Sequence, residues 1–105
     1  MLKIAIDVMG ADNGVKPIVE GVIQALKTQD FHAIIVGDEQ QIAPLIPSSV
    51  AKRVEIVHCA DYIKMEESAS SANKRSETSI YKAVELVKNG EADAVVLPHY
   101  AKYHR

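Results

Sequence analysis

The sequence predicts an α/β fold, with a doubly wound, mostly parallel sheet and helices on both of its faces. Short apolar runs alternate with helical patterns along the chain, in the order β-α-β-α-β-α-β. Two of the runs are nearly unbroken in apolarity, which is typical of strands buried on both faces of a parallel sheet. At 105 residues, of which 48% are hydrophobic, the chain is long enough for one domain and too short for two.

The predicted strands are four β-rich runs, each bounded by polar or turn-forming residues. They cover residues 2–8, 33–37, 54–58 and 92–98. Right-handed crossovers between parallel strands place the intervening helices on the two faces of the sheet.

The first helix is predicted by apolar residues at helical spacing. They form one stripe at Val15, Ile18, Val19, Val22, Ile23 and Leu26. Pro17 suits the first turn, where its missing N–H has no helical partner to lose. We therefore expect an amphipathic helix from about residue 15.

Two further helices are predicted with their own start and stop signals. Asp38 is a candidate N-cap of a short second helix, with Gln41 reaching back to it as in a capping box. The third helix is predicted from about Glu77 to Lys88, and Gly90 is expected to end it in the left-handed conformation. Its expected apolar face consists of Ile80, Ala83, Val84 and Val87.

One stretch, residues 60–76, has no sustained hydrophobic period. A connection of this length inside a small domain is often functional, and a flap beside a binding site is one interpretation. An irregular helix that the serines obscure is the alternative. The pattern leaves both open.

Charge and hydropathy exclude several classes of protein. Twelve basic and fourteen acidic residues give a formal net charge of -2, so no overall basic field favours nucleic acid. No stretch approaches the roughly 20 apolar residues of a membrane span, and the amino terminus lacks the apolar core of a signal peptide. We expect a cytoplasmic protein with at most a peripheral association with membranes.

The cysteine and histidine content predicts neither a disulfide nor a metal site. Cys59 is the single cysteine, and after an apolar run it is expected to fill core space. The histidines are scattered, and His99 and His104 are spaced too far apart to share a helical face. No nucleophile elbow is present either.

Polar residues follow the first predicted strand, where ligands bind in open α/β sheets. The spacing of Gly10 and Gly14 matches neither a dinucleotide fingerprint nor a P-loop. Gly10 would let backbone N–H groups approach a ligand, and Asp7 and Asp12 would orient them or a cation. The alternative is that Asp12 and Asn13 only cap the first helix.

A basic turn precedes the third helix and is a candidate anion site. Lys74 and Arg75 lie shortly before Thr78 and Ser79, at the expected helix N-terminus. Cations, hydroxyls and a helix N-terminus together suit a phosphate or carboxylate. A solvated basic turn with a serine cap is the alternative interpretation.

The stretches IAIDVMGADNG, PIVEGVIQAL, IIVGDEQQI and the segment from VEIVHCADYIK to EADAVV resemble the phosphate acyltransferases of bacterial phospholipid synthesis, the PlsX family. The resemblance covers residues 1–97 in order. It implies a Rossmann-like, three-layer α/β/α fold and transfer of a fatty acyl group from acyl carrier protein to inorganic phosphate, giving acyl phosphate. It also implies a homodimer among full-length relatives and no cofactor.

The resemblance further implies a set of substrate- or phosphate-binding residues. They are Asp7, Met9, Gly10, Asp12, Lys74, Arg75 and Ser79. We expect Gly10 to give backbone access, Lys74 or Arg75 to contact phosphate or the acidic carrier, and the aspartates to organise the loop. The resemblance assigns no catalytic residue.

The chain departs from the family pattern at several points. Ala11 stands where the family usually has glycine, and the basic run is shorter. Residues 98–105 form a tail without the glycine-rich turn expected there, so we predict a domain at 1–97, truncated after the fourth strand. Such a chain is expected to be partial or inactive. A non-catalytic α/β module that binds a small anion or a partner protein is the alternative.

Overall fold

The computed structural model describes residues 1–9, 14–59 and 78–97. Their strands form one parallel sheet in the order β3-β2-β1-β4. The strands are β1 (Leu2–Asp7), β2 (Phe31–Gly37), β3 (Val54–His58) and β4 (Ala94–Val96), and the helices are α1 (Val15–Thr28), α2 (Glu39–Ile42) and α3 (Ser79–Lys88). Short 3₁₀ helices lie at Ala43–Leu45 and Ala51–Arg53.

This order confirms the predicted α/β fold. The chain builds outward from β1 to β3 and then returns to place β4 on the other side of β1. In a doubly wound sheet the strand order reverses at such a point, and ligands bind beside it. The reversal lies between β1 and β4 here.

The sheet is covered by an apolar cluster on each face, as the unbroken apolarity of β1 and β2 predicts. One cluster joins alternate residues of β1 and β2 to α1 and α2: Ile6, Val8, Met9, Val15, Val19, Ile23, Leu26, Phe31, Ala33, Ile35, Ile42 and Val50. The other joins the opposite positions to α3: Ala5, Ile34, Val36, Cys59, Ala83 and Ala92. Cys59 is buried, which confirms its predicted place in the core.

Helix α1 buries much of the predicted stripe, and its C-terminal end is held by a side chain from another element. Its N-cap is Gly14, with a φ of 83°, and no side chain caps this end. At the other end the Arg53 guanidinium donates to the carbonyl of Gln29 at 3.0 Å and to that of Leu26. These bonds satisfy carbonyls that a helix end leaves unpaired.

Helix α3 ends as predicted. Gly90 has a φ of 78°, its N–H donates to the Val87 carbonyl at 3.1 Å, and the Glu91 N–H donates to the Leu86 carbonyl at 2.8 Å. This pair of bonds is a Schellman motif, which favours glycine at the left-handed position.

The predicted apolar face of α3 is partly wrong. Val84 is 45% exposed, whereas Ser79 and Ala83 are buried and Leu86 packs against the cluster. The stripe therefore runs through positions 79, 83 and 86, at the i, i+4, i+7 spacing of a helix. Hydrophobicity alone did not predict this rotation, because it buries a serine.

Strand bounds differ slightly from the predicted ones. β2 begins earlier, at Phe31, and β4 is shorter, at Ala94–Val96. Before β4, Asp93 is tied to Lys3: its N–H donates to the Lys3 carbonyl at 2.7 Å, and its carboxylate accepts the Lys3 N–H at 2.8 Å. The predicted tail and the 60–76 segment lie outside the described residues.

Within the described ranges, every helix is too short or too polar to cross a bilayer.

Candidate functional site

The carboxyl ends of β1, β2 and β3 lie side by side at one edge of the sheet. Asp7 pairs in register with Val36, and Gly37 pairs with His58. The ladder continues beyond the strands, since the Val8 N–H donates to the Val36 carbonyl at 3.2 Å and the Cys59 N–H to the Gly37 carbonyl at 2.8 Å. Polar residues that follow these strands therefore meet at a single edge, where α2 and α3 begin.

Asp7, the last residue of β1, is a buried acid with spare bonding capacity. Its side chain is 2% exposed. Oδ1 accepts the Met9 N–H at 2.9 Å, whereas Oδ2 has no hydrogen-bond partner among the described residues. Burial raises the pKa of Asp7 to about 6, while the Met9 N–H and the Ser79 hydroxyl act in the opposite direction. Asp7 therefore changes charge near neutral pH.

Ser79, the first residue of α3, faces Asp7 from the other side of the site. Its side chain is 1% exposed, and its hydroxyl has no hydrogen-bond partner in the part of the chain that the structure describes. The hydroxyl is close enough to lower the pKa of Asp7, but the two side chains form no hydrogen bond of ordinary geometry. A buried polar atom without a partner costs about 1–3 kcal/mol. We call these two residues the Asp7–Ser79 pair.

The neighbouring Thr78 has a structural role. It is the N-cap of α3, fully buried, and its hydroxyl accepts the Tyr81 N–H at 3.4 Å. This capping bond sets the start of α3 and so determines which residue occupies the first helical position. The positive end of the helix dipole consequently lies beside the Asp7–Ser79 pair.

Asp38 follows β2, and both of its carboxylate oxygens accept hydrogen bonds from α2. Its Oδ1 accepts the Gln40 N–H and its Oδ2 accepts the Gln41 side-chain amide, each at 3.0 Å. These two bonds, Gln41 first, hold the pKa of Asp38 below its usual value, with a smaller contribution from His58. The predicted cap is confirmed, but Gln41 bonds the carboxylate rather than the Asp38 backbone. We call this arrangement the Asp38 cap.

Met9 packs away from the Asp7–Ser79 pair. It is buried in the cluster on the α1 face, and its sulfur accepts the Asp38 N–H at 3.4 Å. A Cβ on Gly37 would approach within 2.9 Å of Val8 and 3.1 Å of Met9. The absence of a side chain at Gly37 thus lets the first loop pack against the start of α2.

The structure brings two of the predicted site residues together, Asp7 and Ser79. It places Met9 on the other face of the sheet. The remaining four, Gly10, Asp12, Lys74 and Arg75, lie outside the described residues. The roles predicted for these four residues stay predictions, as do the two interpretations of residues 60–76.

Sequence reasoning missed the part that His58 takes in the site. Its Nδ1 accepts the Glu39 N–H at 3.1 Å, so it completes the N-terminus of α2 from the neighbouring strand. The available signal was that His58 ends a strand directly beside the one that precedes α2.

The described residues also contain an apolar groove, but no cluster of metal ligands. Across the described ranges, no group of three or more His, Cys, Asp and Glu side chains is arranged to hold a metal ion. An apolar groove of about 530 Å³ is lined by Leu2, Ile4, Val22, Ala25, Phe31 and Val96 among others. Because successive strand residues point to opposite faces, this groove and Asp7 lie on different faces.

The chain resembles known proteins over nearly its whole length. The family model described as fatty acid synthesis protein matches residues 2–97. Phosphate acyltransferase of Helicobacter hepaticus is 66% identical over 101 residues, covering 96% of this chain and 30% of that relative. Phosphate acyltransferases of Sulfurovum sp. and Helicobacter pylori are 53% and 52% identical, each covering 91% of this chain. The chain thus spans about 30% of the length of these relatives.

Proposed function

Since this chain belongs to the fatty acid synthesis protein family, we propose that it supplies the amino-terminal part of a phosphate acyltransferase. The reaction moves a fatty acyl group from acyl carrier protein to inorganic phosphate and releases acyl phosphate. The proposed partners are acyl carrier protein, phosphate and, in the full-length protein, a second subunit. The proposed location is the cytoplasm.

The observation that carries this proposal is the Asp7–Ser79 pair. Two polar atoms, Asp7 Oδ2 and Ser79 Oγ, are buried at the carboxyl edge of the sheet without partners in residues 1–9, 14–59 and 78–97. Both lie at the N-terminus of the ten-residue helix α3, beside the reversal of strand order. This is the place where α/β proteins bind anions. Phosphate supplies both hydrogen-bond acceptors and donors for such a pair.

The chemistry requires phosphate to be held and stripped of water so that one oxygen attacks a thioester carbonyl. The helix N-terminus and the polar pair are proposed to form this anion site. We propose that Gly10 gives backbone access, that Asp12 organises the loop, and that Lys74 or Arg75 contacts phosphate or the acidic carrier. Met9 holds the loop in place through its contact with Asp38.

The 105-residue chain is proposed to be weakly active or inactive by itself. It spans about 30% of the length of the Helicobacter hepaticus relative, and the strand at the edge of the site, β4, has three residues. The part of the relatives that this chain does not match is proposed to supply further residues that the reaction needs.

A chimera tests the proposal. Residues 1–97 of this chain replace the matching part of the H. hepaticus relative, and hydroxylamine traps acyl phosphate formed from acyl-acyl carrier protein and phosphate. We expect acyl hydroxamate from the chimera and little from the 105-residue chain. An inactive chimera that folds and dimerises like the intact relative contradicts the proposal.

A non-catalytic module that binds a small anion or a partner protein is the alternative. The unpaired Asp7–Ser79 pair favours anion binding in either case. The two differ in product: binding of phosphate or carrier by the chimera with no acyl hydroxamate supports the module.

A further inference from the structure

We infer that Asp7 is a catalytic residue of the proposed acyl transfer, with Oδ2 holding the proton that it shares with bound phosphate and Ser79 Oγ making a second contact to the same anion. This inference rests on the proposed function and deepens it, because neither the family nor the resemblance assigns a proton carrier. It adds a proton-transfer role for Asp7 to the anion site that the proposed function already includes.

The two aspartates at this edge of the sheet differ in how many of their carboxylate oxygens are hydrogen-bonded. Asp38 at the same edge has both carboxylate oxygens occupied by neighbours in its own helix. Asp7 has one occupied oxygen, Oδ1, and one that meets no donor in the described residues. The Ser79 hydroxyl is unpaired in the same way. The two atoms lie close together, and a ligand that bonds both of them would satisfy them.

The second argument is charge. A phosphate dianion placed against an ionised carboxylate is repelled, so the two bind together only with an additional proton between them. The raised pKa of Asp7, about 6, lets it take up that proton near neutral pH. Three elements border Asp7. Val36 is its apolar partner on β2, Ser79 faces it from α3, and the Met9 N–H comes from its own loop. No charged group of the described residues contributes to its pKa.

The proton then has a definite path. A phosphate oxygen forms a bond to the thioester carbonyl carbon, the carbon–sulfur bond breaks, and its electron pair leaves on sulfur. One proton held between phosphate and Asp7 Oδ2 passes to this sulfur, which departs as a thiol. The complex holds one further proton, which was taken up from water when phosphate bound. This proton returns to water when acyl phosphate leaves. The net change is dianionic phosphate and thioester to dianionic acyl phosphate and thiol.

Phosphate must be able to reach the Asp7–Ser79 pair. Asp7 and Ser79 are nearly fully buried, so phosphate reaches them only if the covering groups shift. The backbone N–H groups of Met9 and Ser79 border the pair and report such a shift. Their amide NMR signals are expected to move when phosphate binds.

The test counts protons on the 105-residue chain. Phosphate is titrated calorimetrically at pH 8 in buffers with different ionisation enthalpies. We expect uptake on the order of one proton per phosphate bound, because the complex holds the proton that free Asp7 lacks. Asp7→Asn is expected to bind phosphate with almost no uptake, because an amide is already neutral. Asp30→Asn, an exposed aspartate far along the sheet, keeps the wild-type uptake.

Activity gives the second readout, in the chimera. A catalytic proton carrier is expected to contribute about 10²-fold or more to kcat, so Asp7→Asn lowers kcat by at least this factor and Asp30→Asn leaves it unchanged. Phosphate binding with no proton uptake, or with equal uptake in Asp7→Asn, overturns the inference. So does an unchanged kcat in Asp7→Asn. If the chain binds no phosphate, the inference falls while an active chimera still supports the acyltransferase.

Discussion

Two aspartates at one edge of this sheet have opposite properties. Asp38 follows β2, is exposed enough to stay solvated, and uses both oxygens to cap α2, which lowers its pKa. Asp7 ends β1, is buried, has an unpaired oxygen, and has a raised pKa. The difference is one of environment. The same side chain stabilises the fold where bonds and water favour its charge, and destabilises the fold where burial opposes its charge.

This contrast separates structure from proposed function. The Asp38 cap is satisfied within the fold, so it needs no ligand. The Asp7–Ser79 pair is not satisfied within the described fold, which is the usual sign of a site whose partner arrives later. Four substitutions change this comparison, and they follow from the largest expected effect to the smallest.

Asp7→Asn is expected to stabilise the protein. The raised pKa means that the folded chain binds more protons than the unfolded chain between about pH 3.8 and 6, so wild-type stability falls as pH rises through this window. At pH 7.5 the cost is about 3 kcal/mol, and an amide avoids it while bonding both Met9 and Ser79.

Urea denaturation at several pH values checks this prediction. The gain in the free energy of unfolding is expected to shrink as the pH falls from about 6 towards 4. Asp30→Asn serves as the control and shows no such gain. An equal gain at pH 4 and pH 7.5 would contradict burial as its cause.

Gly37→Ala is expected to disturb the packing of the first loop against the start of α2, near both aspartates. The new Cβ would lie 2.9 Å from Val8 and 3.0 Å from Ile42, so these side chains must move, at a cost of about 2 kcal/mol. Gly21→Ala is the matched control, because a Cβ at this exposed position of α1 would have nothing within 4 Å. It is expected to stabilise by about 0.5–1 kcal/mol. Thermal or urea denaturation distinguishes the two, and similar effects would count against the packing argument.

Asp38→Ala is expected to destabilise the protein at neutral pH, opposite in sign to Asp7→Asn. The lowered pKa means that Asp38 contributes stability above its ordinary pKa and loses it as the pH falls through the folded value. Denaturation at pH 7.5 and at a pH below the ordinary value of 3.8 measures this loss. Asp38→Asn keeps a side-chain oxygen for the Gln40 N–H and should lose less. A loss that is the same at both pH values would mean that charge is not involved.

Ser79→Ala is expected to have the smallest effect. The hydroxyl lowers the pKa of Asp7, so its removal raises that pKa further. The titration of the Asp7 carboxyl carbon, followed by NMR, measures the change. Ser49→Ala in an exposed turn is the control and leaves the titration as it is. A lower pKa of Asp7 in Ser79→Ala would mean that the two groups do not interact as described.

Much of the fold could be predicted because its signals are local. The stripe of α1, the cap at Asp38 and the glycine end at Gly90 depend on residues within a few turns of each other, and the structure confirms them. The site was harder to predict. A resemblance pointed to Asp7 and Ser79, but their burial, their unpaired atoms and the part of His58 depend on contacts between separate elements.

The sequence alone determined the class of fold, the order of its elements and the edge at which polar residues collect, because hydrophobic period and capping are properties of neighbouring residues. Only the tertiary structure decided how α3 turns about its axis. That rotation buries Ser79 against Asp7 rather than presenting Val84. A pKa depends on solvent exclusion and on groups from every packed element, so the unusual acidity of Asp7 exists only in the folded chain.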